Sequence, residues 1–107
     1  MSWRQALREG AIAYLQPGEE IQAVFAAKRR TMQYNDRAVV ATDRRLFLLA
    51  LNFFGRPTGM LAETDRHVRL GPGQGWMHPL AVFDADLVVN RRFFKDLAEA
   101  DRSAGLV

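Results

Sequence analysis

The spacing of apolar residues predicts a short helix followed by a strand. Residues Ser2 to Leu15 place apolar side chains at roughly helical intervals among arginines and glutamines, with Ser2 as a candidate N-cap and Pro17-Gly18 as the stop. Glu20 to Lys28 then alternates with a period of two, which puts Ile21, Ala23, Phe25 and Ala27 on one face. We therefore predict a helix over residues 2–16, followed by a first strand.

A polar break between two apolar runs predicts a β-hairpin. Two apolar runs, Asp36 to Thr42 and Arg45 to Asn52, are joined through Asp43 and Arg44. This pattern is typical of two antiparallel strands joined by a tight turn. Both runs are apolar on both faces, so we expect these strands to be central or covered. Asp43 is expected to bond to the backbone of the turn, and Arg45 to anchor the turn to a neighbouring loop.

Shorter runs fill the rest of the chain up to a second helix. The patterns predict further strands at Thr58 to Thr64, Arg66 to Leu70, Trp76 to Phe83 and Asp86 to Asn90, with "GPGQG", residues 71–75, as a hairpin loop. From Arg91 the apolar spacing becomes helical, with Asn90 as N-cap, which predicts a helix over 91–102. Strands grouped between 19 and 90, with helices only at the two ends, favour an antiparallel α+β fold.

Length and composition narrow the class of protein. A chain of 107 residues that is 49% hydrophobic has the size of one compact domain, residues 1–107. It has no cysteine, which excludes disulfides, thiolate zinc sites and thiol nucleophiles and favours a cytoplasmic setting. We find no stretch of signal-peptide length at the N-terminus, and the longest apolar run, Leu46 to Leu51, is far shorter than the roughly 18–20 residues of a membrane span.

Three stretches together resemble bacterial pleckstrin-homology-like (PH-like) domains of the YokE type. The first stretch, "LQPGEEIQAVF" (Leu15 to Phe25), is similar to the family's helix end, turn and first strand. The second, "VVATDRRLFLLAL" (Val39 to Leu51), is similar to its second and third strands. The third, "DLVVNRRFFKDLAEAD" (Asp86 to Asp101), is similar to its last strand and closing helix. The resemblance implies a seven-stranded half-open barrel with an N-terminal helix and a C-terminal capping helix. It also implies a binding or assembly module rather than an enzyme.

Basic residues between the first two strands form the sharpest candidate site. The net charge is only +3, but Lys28, Arg29, Arg30 and Arg37 could converge as a patch that binds anions or lipid head groups. The alternative is that they solvate a loop and pair with Glu19, Glu20 or Asp36. The resemblance implies that Lys28, Arg30 and Arg37 match basic positions used for phosphoinositides in the eukaryotic branch, although no second basic residue lies two positions after Arg37.

Aromatic residues supply a candidate protein interface at Phe53, Phe54 and Trp3. The alternatives are packing in the core and insertion into a membrane. The rings of Phe53 and Phe54 lie close to Arg56 in the sequence, a combination that would also suit binding of single-stranded nucleic acid. Strands that are apolar on both faces argue against such a partner.

Catalytic and metal-binding arrangements are weak in this sequence. Glu63, Asp65 and His67 alternate and could share a face, yet a solvent-facing edge explains them better than a metal site. His78 precedes a proline, which fits an edge or a bulge. The only serines, Ser2 and Ser103, lie at the chain ends, so we expect no catalytic triad, no metal and no cofactor.

The sequence therefore predicts a non-catalytic binding or scaffolding module in the cytoplasm that acts through an unidentified protein partner or as a homo-oligomer. The alternative is a peripheral domain at the inner membrane face that binds anionic lipid through Lys28 to Arg37.

Overall fold

The computed structural model describes residues 3–84 and 86–106. The first helix, α1, runs from Trp3 to Ala11 and continues as a 3₁₀ turn over Ile12–Tyr14. Gly18, with a φ of 79°, lies in the turn that precedes the sheet, a conformation that glycine adopts without steric cost. The predicted first helix is thus confirmed, while the N-cap assigned to Ser2 lies outside the described residues.

Six strands form one open antiparallel sheet. They are β1 (Ile21–Arg29), β2 (Arg37–Thr42), β3 (Arg45–Leu51), β4 (Pro57–Asp65), β5 (Met77–Pro79) and β6 (Leu87–Asn90). Their order is β4-β3-β2-β1-β6-β5, and every neighbouring pair is antiparallel. The α+β class and the antiparallel sheet are confirmed.

The expected count of seven strands is not met by the described residues. Residues 66–70 form no strand, and the strand predicted over Trp76 to Phe83 is reduced to β5, followed by a turn. β4 and β5 lie at opposite edges of the sheet and do not pair with each other, so the sheet is not closed. Among the apolar residues of these two stretches, Leu70 and Leu80 are buried, whereas Trp76 and Val82 are exposed.

The central strands are apolar on both faces because the sheet is covered on both sides. On one face, Phe25, Val39 and Leu48 pack with Leu97 and Ala100 of the C-terminal helix. The opposite face buries Val24, Val40, Phe47 and Leu49 under Leu7 and Ala11 of α1. Each fully buried side chain of this size contributes about 1.5–3 kcal/mol. The expectation that β2 and β3 are covered is confirmed.

The C-terminal helix begins as a 3₁₀ turn over Arg91–Phe93 and continues as α2 over Phe94–Ser103. The Asn90 side chain accepts a hydrogen bond from the Arg92 N–H at 3.0 Å, so the predicted N-cap is confirmed. None of the helices in the described part of the chain is long and apolar enough to cross a bilayer.

Residues 66–76, the crossing segment, connect the two edges of the sheet across the α2 side. Its first residue, Arg66, is only 4% exposed and donates hydrogen bonds to the carbonyls of Thr42 and Ala100. Asp101 of α2 accepts the N–H groups of Leu70 (2.8 Å) and Gly71 (2.9 Å). "GPGQG" is therefore part of a crossover, and the prediction of a hairpin loop was wrong.

Arg45 anchors the hairpin turn, as expected, to the loop before β1. The Glu19 carboxylate, 6% exposed, accepts hydrogen bonds from Arg45 Nε (3.0 Å), Thr42 Oγ1 (2.6 Å) and the Gln16 N–H (2.9 Å). Burial alone would raise the pKa of Glu19, but the hydrogen bonds from Arg45, Thr42 and Gln16 lower it to about 2. Arg45 also donates to Glu63 (2.8 Å) and to the Tyr14 carbonyl (2.9 Å).

A candidate binding surface at one end of the sheet

Several loops meet at one end of the sheet, which we call the aromatic end. It comprises residues 28–37, 50–57, 76–77 and 90–93, together with Trp3 at the start of α1. Arg37 pairs with Ala50, so the β1–β2 and β3–β4 loops lie side by side, and the β1–β2 loop shares a cleft with Met77, Asn90 and Arg92. Trp3 joins them through an edge-to-face contact with Phe93, at 5.0 Å between ring centroids.

The most exposed large apolar side chains of the described chain lie here. Phe53 is 72% exposed, Phe54 82% and Trp76 70%. Asn52 fixes the β3–β4 turn that presents both phenylalanines, since its Oδ1 accepts the N–H groups of Phe54 (2.9 Å) and Arg56 (3.0 Å). Phe53 stacks edge-to-face between Tyr34 and Phe54 at 5.4 and 5.7 Å. Packing of the pair in the core, one of the alternatives drawn from the sequence, does not occur.

Two of the four predicted basic residues, Arg29 and Arg37, pair with one buried carboxylate. Arg29 Nε lies 2.8 Å and Arg37 Nη1 3.1 Å from Asp36 Oδ2, and Asp36 is only 2% exposed. This is the pairing with Asp36 that the sequence offered as the alternative. Lys28 points elsewhere and donates to the Met32 carbonyl at 2.8 Å, while Arg30 is exposed to solvent.

Lys28 instead faces a polar cleft together with a residue that the sequence analysis did not single out, Arg92. The cleft has a volume of about 360 Å³ and lies between the β1–β2 loop and the junction of β6 with α2. It is lined by Lys28, Gln33, Tyr34, Asn35, Met77, Asn90 and Arg92, with no carboxylate among them. Arg92 was missed because its sequence position predicts an ordinary solvent-facing residue of a helix.

Two apolar clefts continue this polar cleft on either side. One, of about 520 Å³, shares Gln33 and Tyr34 with it and adds Thr31, Met32 and Phe53. The other, of about 230 Å³, shares Asn35 and Arg92 and adds Trp3, Leu7, Ala26, Leu51, Gly55 and Phe93. Because the polar cleft shares lining residues with each apolar cleft, we treat the three as one groove with a cationic centre and apolar flanks.

Positive charge dominates the aromatic end. Its segments carry seven basic residues: Lys28, Arg29, Arg30, Arg37, Arg56, Arg91 and Arg92. Three carboxylates accompany them, Asp36 within these segments and Asp84 and Asp86 on the adjoining β5–β6 turn, where the Asp86 carbonyl accepts the Arg30 N–H. The Arg91 guanidinium lies 4.5 Å from the Trp76 ring centroid, a cation–π contact. Such a surface can hold anionic groups and apolar side chains together.

The other candidate residues have structural partners. Glu63 pairs with Arg45, and Asp65 accepts the His67 N–H at 2.7 Å. Across residues 3–84 and 86–106, no three acidic or histidine side chains come together to hold a metal ion. His78 lies on the edge strand β5, as expected, with its Nε2 2.9 Å from the Leu70 carbonyl oxygen.

Compared with known proteins, the chain matches no family model, no curated protein and no solved structure. The resemblance to PH-like domains therefore stays a prediction, and the function has to be argued from the aromatic end itself.

Proposed function

We propose that this chain is a non-catalytic binding module that docks a protein partner with an acidic surface onto its aromatic end. The observation that carries the proposal is the exposure of Phe53 and Phe54, 72% and 82%, on a turn whose backbone N–H groups are bonded to the Asn52 side chain. Exposed rings of this kind mark interaction sites, and aromatic residues and arginine are enriched at protein interfaces.

The charge of the aromatic end selects the kind of partner. Seven basic side chains against three carboxylates favour an acidic surface, which would also be steered toward this end as it approaches. A second copy docked through the same end would place these cations opposite one another. Self-association would therefore use another face of the molecule.

The free edge of β4 is a weak candidate for that other face. Pairing between β3 and β4 is irregular at Leu48/Leu49 and at Ala50/Leu51, and β4 begins with Pro57 and ends with Asp65. Bulges, proline and edge charges are devices that hinder edge-to-edge strand pairing. This supports an external partner over a strand-paired dimer.

We also propose that the fold is a variant of the PH-like arrangement. The β1–β4 meander, the later β5–β6 pair and a helix at the C-terminus support this relationship. In this variant the crossing segment occupies the stretch where a further strand was expected. The relationship agrees with a binding module, since one fold serves many ligands.

A second candidate function is attachment to an anionic membrane. The observation that favours it is the position of Phe53 and Phe54 at a projecting turn beside the exposed Arg56, since apolar side chains can enter the lipid interface while cations contact head groups. The same variants test both functions.

The test compares the wild-type chain with a Phe53→Ser, Phe54→Ser double variant and with Leu61→Ser. Leu61 is 51% exposed on β4, so it is a control for loss of an apolar side chain away from the aromatic end. Each protein is used for affinity capture from cells of the source, followed by quantitative mass spectrometry. We expect acidic proteins that the wild type and Leu61→Ser retain and the double variant loses; identical capture by all three would refute the proposal.

The membrane alternative is tested by sedimentation with phosphatidylglycerol vesicles at about 0.15 M salt, where the screening length is about 8 Å. Binding that survives this salt and disappears in the double variant would assign the aromatic end to a membrane. Absence of vesicle binding together with the differential capture would support the protein partner.

A further inference from the structure

We infer that the groove at the aromatic end binds an extended peptide in which an acidic residue is flanked on both sides by apolar residues. The acidic carboxylate would lie between Lys28 and Arg92, and the flanking side chains would occupy the two apolar clefts. This inference rests on the proposed function and specifies the chemistry of the partner's contact segment.

The polar cleft presents groups whose hydrogen-bonding capacity is unused within the described residues. The side-chain amides of Gln33 and Asn35, the Tyr34 hydroxyl and the Arg92 guanidinium make no hydrogen bond to any other described residue. One of the three N–H donors of the Lys28 ammonium group bonds to the Met32 carbonyl, which leaves two donors for a ligand. The Arg92 guanidinium lies over the Phe93 ring, 4.9 Å from its centroid, which leaves its N–H donors available to a ligand together with the other polar groups of the cleft.

The composition of the cleft selects a carboxylate. Lys28 and Arg92 provide two cations, and no acidic side chain lines the cleft to compete for them. Arginine binds a carboxylate through two parallel N–H donors, and charge-assisted hydrogen bonds of this kind are roughly twice as strong as neutral ones. The Asn35 and Gln33 amides can add donors to the carboxylate or bond to the peptide backbone.

The apolar flanks make a peptide a better occupant than a small anion. Trp3, Leu51 and Phe93 line the groove on one side of the cationic centre, and Met32 and Phe53 line it on the other. A lone carboxylate or phosphate would leave both flanks in water, whereas two apolar side chains would remove them from it.

The experiment is a selection of random displayed heptapeptides on the whole chain, with a parallel selection on Arg92→Gln. We expect enrichment of Asp or Glu between apolar residues on the wild type and loss of that enrichment on Arg92→Gln. Selected peptides without an acidic preference would overturn the inference.

A synthesised selected peptide is then titrated by calorimetry. Affinity should fall about tenfold when its acidic residue becomes Gln or Asn, and about tenfold for Arg92→Gln. Arg91→Gln is the matched control, because Arg91 is a cation of the same end that stacks on Trp76 outside the groove, and it should change affinity less than about twofold. Equal losses for Arg91→Gln and Arg92→Gln would mean diffuse charge attraction and would refute the site.

Asn35→Ala provides a second variant with little risk to folding, since the Asn35 side chain makes no hydrogen bond to another described residue. It should weaken peptide binding while leaving the thermal melting temperature unchanged. Unchanged affinity for both Asn35→Ala and Arg92→Gln would place the peptide elsewhere.

The outcomes separate this inference from the proposed function. Capture that depends on Phe53 and Phe54, without any acidic peptide selected, would leave the docking function standing and remove the groove as its peptide site. If neither the capture that depends on Phe53 and Phe54 nor the selection of acidic peptides is observed, both proposals are wrong. If inorganic phosphate binds as tightly as the peptide and loses the same affinity in Arg92→Gln, the ligand is a small anion and the peptide assignment is wrong.

Discussion

Arg44 and Arg45 are neighbours in sequence but differ in burial and in contacts. Arg44 is exposed, whereas the Arg45 side chain is 13% exposed and bonds to Glu19, Glu63 and the Tyr14 carbonyl. Arg45 thus links the loop before β1, the hairpin and β4 through one guanidinium, whose five donors allow contacts in several directions.

Alanine substitution should separate the two arginines. We expect Arg45→Ala to lower the free energy of unfolding by about 3–5 kcal/mol, because it leaves the buried Glu19 charge without its main partner. Arg44→Ala should cost less than about 0.5 kcal/mol, as for an ordinary surface change. Urea denaturation at neutral pH measures both, and equal effects would contradict the linking role of Arg45.

Glu19 should make the free energy of unfolding depend on pH in the acidic range. Its pKa is about 2 in the folded chain against a model-compound value of 4.5, so its contribution is complete above about pH 4.5 and is lost as pH falls through about 2. The shift corresponds to about 3 kcal/mol. The stability difference between wild type and Glu19→Gln should shrink by about this amount between about pH 6 and pH 2. Glu20→Gln, at an exposed neighbour, should track the wild type throughout.

At the scale of elements, α2 fastens the crossing segment through one carboxylate. Both oxygens of Asp101 accept backbone N–H groups, from Leu70 and Gly71, and the residue is 3% exposed. Gly71 and Gly73 allow the close approach, because a Cβ at Gly73 would lie 2.6 Å from the Phe94 ring. The segment is thereby held without pairing to a strand.

Asp101→Asn should therefore loosen the crossing segment specifically. We expect a loss of about 2–4 kcal/mol in unfolding free energy and faster amide exchange at Leu70 and Gly71 than elsewhere. Asp96→Asn on the same helix removes only the surface pair with Arg4 and should cost less than about 1 kcal/mol. Uniformly faster exchange across the sheet would contradict a local fastening role.

The sequence predicted the elements whose pattern is local. β1, β2 and β3 followed from alternation and doubly apolar runs, and the cap at Asn90 from a helix signal beside it. The crossing segment was misassigned because the partners of Arg66, the Thr42 and Ala100 carbonyls, are distant in the chain. Arg92 was missed for the same reason, since the cleft exists only where the β1–β2 loop meets the junction of β6 with α2.

On the scale of the whole molecule, charge is distributed unevenly along the sheet. The carboxylates Glu19, Glu20, Asp43, Glu63 and Asp65 outnumber the cations Arg44, Arg45 and Arg66 at the end opposite the aromatic end, where Ile21 pairs with Thr42 and Arg45 with Asp65. The aromatic end keeps most of its cations free of such neighbours. The molecule is therefore polarised, which orients an acidic partner during approach.

This polarity predicts how salt affects self-association. Light scattering at low salt should show no dimer formed through the aromatic end, because two such ends repel each other. Salt shortens the screening length to about 3 Å at 1 M, so any contact through Phe53 and Phe54 should strengthen as salt rises. A dimer that forms at low salt and is abolished by Phe53→Ser, Phe54→Ser would contradict this expectation.

The placement of β6 beside β1 has a consequence for the order of folding. The four-strand meander is contiguous in sequence, from Ile21 to Asp65, and pairs only between successive strands. β6 joins it through two residue pairs, Lys28 with Val88 and Arg29 with Leu87, and only then do Val89, Phe93 and Leu97 cover one face. As the chain leaves the ribosome, the meander can form from local contacts. The sheet face that Val89, Phe93 and Leu97 cover stays exposed until the last third of the sequence has been synthesised. The nascent chain is thus most prone to aggregate just before α2 emerges.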